Sequence, residues 1–297
     1  MSFRTVVVKS RAKIETRLSW LLIRGEEEKW INIGEIGTLI IESTACAITT
    51  QALCELSKNN TNVIFCDEKH MPYGHLVLLF GNHLSSGQIK KQTQWEENQK
   101  SIAWREIIRQ KIGWQAAVLK KNQRYEAEQL LKEYVLQVED GDLTNREGHA
   151  AKVYFNALFG LDFGRRTENE INGALNYGYS ILLSSVAREI VSAGYITQLG
   201  IHHINEFNQV NLASDIMEAF RPLIDMYIIS LASYENFKSM VTAVLTSKAV
   251  IFGKEQFFDN AIRIYTRGVI RFLEGEDRMP NIEKFIVENG NELINEL

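Results

Sequence analysis

Carboxylates and imidazoles set beside apolar stripes are where this 297-residue chain could do chemistry. Asp215, Glu218 and Asp225 recur at i, i+3 and i+10 among Leu212, Ile216, Phe220 and Leu223, which places all three on one side of a helix, next to its buried face. Acids in that position need a partner. Arg221, three residues past Glu218, is one; a divalent cation, which hard carboxylate oxygens bind and a neutral His can join, is the other. Upstream, Asn145-Arg146-Glu147-Gly148-His149 opens a second helix, with Asn145 or Thr144 as its cap and Glu147 in the first turn. A carboxylate there also simply favours the helix dipole, so this segment leaves both readings open. Tyr154 follows seven residues later on the same face, whereas His149 lies on a different side from Glu147.

Gly200-Ile201-His202-His203-Ile204-Asn205-Glu206 is a glycine-started loop leading to the acidic helix. A zinc hydrolase built on His202, His203 and Glu206 is disfavoured, because the HExxH register is missing and adjacent loop histidines do not converge on one ion as i, i+4 residues do. There is no GxxxxGK[ST], no GxGxxG and no GxSxG, which argues against nucleotide-driven and serine-hydrolase chemistry. Cys46, Cys54 and Cys66 are an odd set without a CxxC and read as reduced, buried packing residues.

The elements that must position these groups change character along the chain. Short runs rich in Val, Ile, Thr and Trp (5–9, 14–18, 20–24, 30–33, 39–42, 63–66 and 75–80) predict a small β unit. One helix interrupts it at 45–58, and a turn falls at Met71-Pro72-Tyr73-Gly74. After Ser85-Ser86-Gly87, read as a linker, helical spacing takes over and predicts helices at 88–111, 113–136, 145–159, 167–193, 211–231, 234–247, 255–273 and 281–295. The expected architecture is α+β, with an N-terminal, sandwich-like β domain at 1–87 and an all-helical domain at 88–297. With 45% hydrophobic and 24% charged residues the composition is globular, and no run of about 20 apolar residues suggests a membrane span. The N-terminus lacks a signal-peptide pattern, so the expected location is the cytoplasm. Net charge is −4, but acids concentrate in the last stretch, Glu274–Leu297, leaving room for a basic surface elsewhere.

In order and spacing, Asn145–Gly148 with Ala151, Tyr154 and Phe155, then Asn172 and Ala174–Tyr179, then Gly200–His203, then Leu212–Pro222 resemble the signature blocks of the CRISPR-associated integrase, the catalytic subunit of the spacer-acquisition complex. The run His203–Gln209 is most similar to the type II branch. Lys152 and Ala219 depart from the Arg and Pro that many members carry. The resemblance implies a Glu-His-acid metal triad at Glu147, His203 and Glu218, binding Mg²⁺ or Mn²⁺. The implied reaction joins the 3′-hydroxyl ends of a short foreign duplex to the repeat borders of a CRISPR array, with endonucleolytic cutting as the reverse. Implied partners are double-stranded DNA, a second copy of the chain through the β domain, and a small companion subunit bridging two dimers. Other adaptation proteins and the effector nuclease extend that set.

For DNA contacts, Arg146, Lys152, Arg165 and Arg166 lie nearest Glu147 in sequence. Arg263, Arg267 and Arg271 recur every four residues and call for an anion opposite, either phosphate or the acidic tail. Lys90, Lys91, Lys120, Lys121 and Arg124, interleaved with Trp95, Trp104 and Trp114, read more simply as a solvated face over buried rings. Tyr154, Asn176 and Tyr177 are candidates to shape the pocket. The competing accounts are a non-catalytic helical DNA-binding scaffold and the zinc hydrolase.

Overall fold

A computed structural model describes residues 4–78, 82–230, 237–238, 242, 244–275, 278–286 and 292–294. By contacts the chain divides into two units, 1–81 and 82–297. Among its described residues the first holds two four-stranded sheets. One has the order β1 (Arg4–Val8), β5 (Ile36–Ile41), β7 (Asn62–Cys66) and β8 (Pro72–His75); the other has the order β4 (Glu28–Asn32), β3 (Trp20–Arg24), β2 (Lys13–Arg17) and β6 (Ala47–Ile48). β5 is parallel to both β1 and β7, and every one of its residues is buried, the continuous apolar reading expected of a strand covered on both faces. Ile14, Leu21, Ile23, Ile36, Leu39, Leu56 and Val63 form the core of this unit.

Three expectations here are corrected. The helix is shorter, α1 (Thr50–Lys58), because Thr49 caps it by accepting from the Ala52 N–H, while Ala47 and Ile48 pair with β2 as a strand. Pro72–Gly74 lie in β8; the turn falls earlier, where the Asp67 carboxylate accepts from the N–H groups of Lys69 and Met71. Of the cysteines, none of which is in a disulfide, only Cys66 is buried, and Cys54 is exposed.

The second unit begins before the anticipated linker, since Ser85–Gly87 form the first turn of α2 (Ser85–Gln92). α3 (Glu97–Lys121) runs unbroken through residue 112 and is the spine, packed against α4 (Tyr125–Gln137), α5 (Arg146–Phe159) and later elements. It is buried nearly all round along its second half. α6 (Glu170–Ser192) is likewise mostly buried. The stretch 211–231 is α7 (Asn211–Met217), a 3₁₀ turn (Glu218–Phe220) and α8 (Arg221–Ile229). Pro222 explains the break: it has no N–H for the Glu218 carbonyl, which accepts from the Arg221 N–H instead.

The second unit is not all-helical. β9 (Lys248–Ile251), β10 (Lys254–Phe257), β11 (Ile282–Ile286) and β12 (Glu292–Ile294) form an antiparallel sheet in the order β10-β9-β11-β12. The expected helix at 255–273 therefore starts at Phe258, as α9 (Phe258–Leu273), and that at 281–295 is replaced by strands. Ile282 and Phe285 are both fully buried in that sheet; a short apolar run of this kind fits either period. Half of the expected helix 234–247 lies outside the described residues. Among the described residues, no helix is long and apolar enough to cross a membrane.

Candidate metal centre

Glu147 is set by local rules. Asp142, itself buried, accepts from the N–H groups of Arg146 at 2.8 Å and Glu147 at 3.0 Å, so two of the free donors at the start of α5 are satisfied. Asn145 sits in the left-handed region, φ 53°, and accepts from the Gly148 N–H at 3.2 Å. A Cβ on Gly148 would come within 2.7 Å of that Asn145 oxygen, which is why the block ends in glycine. The first turn thereby holds Glu147 against α3.

His203 is set by a buried carboxylate. Asp215, fully buried on α7, accepts from the backbone N–H groups of Ile201 (2.5 Å), His202 (3.1 Å) and His203 (3.1 Å), and its Oδ1 lies 2.5 Å from Nδ1 of the His203 ring. This pairing orients the imidazole and leaves Nε2 for another partner, the arrangement seen behind metal-ligating histidines. Hydrogen bonding to Asp215 raises the His203 pKa above its ordinary value, against the opposing effect of burial. Gly200 allows the loop to close, since a Cβ there would collide with the His203 carbonyl oxygen and reach 2.7 Å from Asp215 Oδ2. His202 goes elsewhere: its ring stacks on Trp104 of α3 with centroids 4.3 Å apart and planes 1° from parallel.

Glu218, in the 3₁₀ turn, meets Glu147 through a residue that sequence reasoning missed. Lys111 of α3 places its ammonium 2.6 Å from Glu147 Oε1 and 2.6 Å from Glu218 Oε2. Arg221 lies 3.1 Å from the other Glu218 oxygen. Burial works to raise the Glu218 carboxyl, but Lys111 and Arg221 outweigh it and hold the pKa below the ordinary value. Burial likewise works against the Lys111 charge, and Glu218 and Glu147 more than compensate. At that distance the Lys111 ammonium also hydrogen-bonds Glu218, which lowers its pKa further. The signal for Lys111 was a lysine within the apolar run Ile107, Ile108 and Ile112.

A model of the family described as CRISPR associated protein Cas1 matches residues 5–254. The chain belongs to the Cas1 family. It is 34% identical over 243 residues to the CRISPR-associated endonuclease Cas1 of Neisseria meningitidis, covering 82% of this chain and 80% of the relative. Its fold is similar to that of a casposase bound to an integration product (TM-score 0.74, 20% identity, 94% of this chain and 92% of the other). It is also similar to part of a Cas6-RT-Cas1–Cas2 complex (TM-score 0.69, 20% identity, 92% of this chain and 35% of the other).

In this Cas1 chain the three acids of the 215–225 stretch do not act together, because the 3₁₀ turn separates them. Asp215 serves the loop, Glu218 meets Lys111, and Asp225 accepts from the Tyr179 hydroxyl at 2.5 Å, with burial raising its carboxyl to about 6 against that hydrogen bond. As the side chains stand, no three His, Cys, Asp or Glu side chains among the described residues close around one point. The donor chemistry nevertheless suits a hard divalent ion: two carboxylates share one cation position, and an oriented imidazole stands near both. The zinc grouping does not form, since His202 is stacked on Trp104 and Glu206 is exposed.

The other candidates divide. Lys152 and Arg166 are exposed, and Arg146 lies over the Tyr134 ring, 5.3 Å from its centroid. Arg165 is tied down, donating to Asn172 and, at 2.9 Å, to Asn176. Arg263, Arg267 and Arg271 share an exposed face of α9, and Arg267 already has an internal anion, Glu189, at 3.8 Å. Tyr154 and Tyr177 are corrected from pocket walls to core, being fully buried, while Asn176 is exposed. Trp95, Trp104 and Trp114 are buried too. A cavity of about 430 Å³ lined by Lys91, Trp95, Gln99 and Glu274 includes none of the candidate ligands.

Proposed function

We propose that this chain is a DNA integrase and endonuclease of CRISPR adaptation that depends on Mg²⁺ or Mn²⁺. It would join the 3′-hydroxyl ends of short duplexes to the borders of a CRISPR repeat, in a type II system. The observation that carries this is the convergence of Glu147 and Glu218, 71 positions apart in the sequence, on one cation position beside a His203 oriented by Asp215. Glu147, Glu218 and Nε2 of His203 would hold the ion. When bound, it would polarise a phosphoryl oxygen and offset charge on the leaving oxygen.

The chain's own residues do the rest. Asp215 keeps Nδ1 engaged, which would leave Nε2 to face the ion. Arg221, across Glu218 from Lys111, stabilises the ionised carboxylate. Exposed Lys152 and Arg166, with Arg146, supply phosphate contacts along the helix that bears Glu147 and just beyond it. In the joining step the 3′-oxygen forms a bond to phosphorus as the bond to the repeat's leaving 3′-oxygen breaks, so the number of phosphodiesters is conserved. The chain works as a homodimer through its N-terminal unit, with a Cas2-like companion bridging two dimers in the cytoplasm. The kinship with Cas1 and the fold shared with a Cas1–Cas2 assembly support that reading.

A half-site integration assay with labelled duplex and a supercoiled repeat-bearing plasmid tests it. Glu147→Ala, His203→Ala and Glu218→Ala should each lower joining by about 10³-fold, with most DNA binding retained, and chelator should abolish joining by the parent chain. Undiminished integration by any two of the three folded variants would refute the assignment.

A further inference from the structure

The buried ammonium between the two carboxylates is unexplained by the triad. We propose that Lys111 is a resident cation, keeping the position shared by Glu147 and Glu218 filled until a divalent ion displaces it. This rests on the metal reading above.

The geometry carries it in three steps. First, Lys111 Nζ lies 2.6 Å from one oxygen of each carboxylate, and a divalent ion held by those same oxygens needs bonds of about 2.0–2.2 Å. Ammonium and ion cannot both stand there, since their centres would nearly coincide. Second, the lysine is inside the molecule, with only 7% of its side chain exposed, and the carboxylates approach it from two separate helical segments. Without a positive charge two carboxylates at that separation repel, so the ammonium preorganises the pair. Third, lysine suits exchange: its ammonium is a compact point charge on a four-carbon stem that can swing, with no rigid fork to lock the acids. Lys111 is thus a positioning residue that also competes with the ion. Once displaced it requires a new anion, and a DNA phosphate brings one. Loading of metal and arrival of DNA are coupled through this one side chain.

The test is Mn²⁺ binding to chelator-stripped full-length protein without DNA, followed by electron paramagnetic resonance, for the parent chain, Lys111→Met and Lys111→Arg. Thermal melts establish that each is folded. Lys111→Met should bind Mn²⁺ at least ~10-fold more tightly than the parent, because a competing charge at contact distance is gone. Lys111→Arg, whose fork clamps both acids, should bind it more weakly. Adding duplex DNA should tighten Mn²⁺ binding by the parent more than by Lys111→Met. A folded Lys111→Met with affinity equal to or below the parent overturns the proposal. Should that variant not fold, a crystal of the parent soaked in Mn²⁺ decides: Nζ must have left both oxygens, and Nζ still touching both in a loaded site overturns it. Glu218→Gln separates the two ideas. If Mn²⁺ binds this variant as well as the parent, or binds no form at all, the metal assignment itself fails.

Discussion

Two clusters in the second unit each set a pair of carboxylates around one buried cation, and they are built differently. Around Arg188, Nη2 lies 3.0 Å from Glu189 Oε1 and 3.0 Å from Asp259 Oδ1, and Nε donates to Glu189 at 3.1 Å. Glu189 and Arg188 are almost wholly out of solvent. A planar guanidinium directs its hydrogen bonds along a fixed fork, so its acids are locked by geometry as well as charge. Around Lys111 the cation is a point charge, and Glu147 keeps 28% of its side chain exposed. His203 beside it is 41% exposed. The first cluster ties α6 to α9; the second ties α3 to α5 and to the 3₁₀ turn at Glu218. Burial of charge alone does not mark a site. The two clusters differ in the kind of cation and in how open the more exposed acid is, 28% for Glu147 against 15% for Asp259.

The sharpest way to break this contrast is Arg188→Met. It leaves Glu189 and Asp259 without their guanidinium and should cost about 3–5 kcal/mol in denaturant melts. Joining per folded molecule should be unchanged, and loss of joining in a fully folded Arg188→Met would end the distinction. Asp225 extends the comparison to a buried carboxylate whose nearest partner is a phenol. Because its pKa is raised from 3.8 to about 6 in the fold, its stabilising contribution is complete below the unfolded value and is lost as pH rises through about 6. Asp225→Asn keeps the acceptor for Tyr179 and removes the ionisation. Relative to the parent it should gain stability between about pH 4 and pH 7, by up to about 3 kcal/mol, and a difference flat across that range would show that the carboxyl is not raised. The smallest effect is Asn145→Ala, which removes the cap and should cost about 1 kcal/mol. If Glu147 is held mainly by Lys111, that variant keeps its Mn²⁺ affinity; a drop in affinity would place more of the positioning in the cap.

Much of the site was legible where its cause is local. Asn145, Glu147 and Gly148 read as a capped helix start, and Gly200 followed by His203 reads as a tight loop, because turns and caps depend on residues three or four apart. The strands around β5 were legible for the same reason. Other parts were not. The 3₁₀ turn at Glu218 was hidden inside an apparently continuous periodic run, although Pro222 carried the clue. Asp215 looked like a third metal acid, and only its three backbone donors show that it serves the loop. The stretch holding β11 and β12 reads as helix because a short apolar run with a charged neighbour satisfies both periods, and the pairing of β11 with β9, which buries Ile282 and Phe285, decides between them.

Composition and spacing by themselves determined that the chain folds around ordinary apolar cores, where several of its helices begin, and which carboxylates and imidazole are locally poised. Tertiary structure decided which of those groups meet. Lys111, Glu147 and Glu218 belong to separate helical segments, and a charge is felt through space over a few ångströms irrespective of its distance along the chain. No local pattern encodes such a meeting, which exists only once α3, α5 and the turn before α8 have packed together.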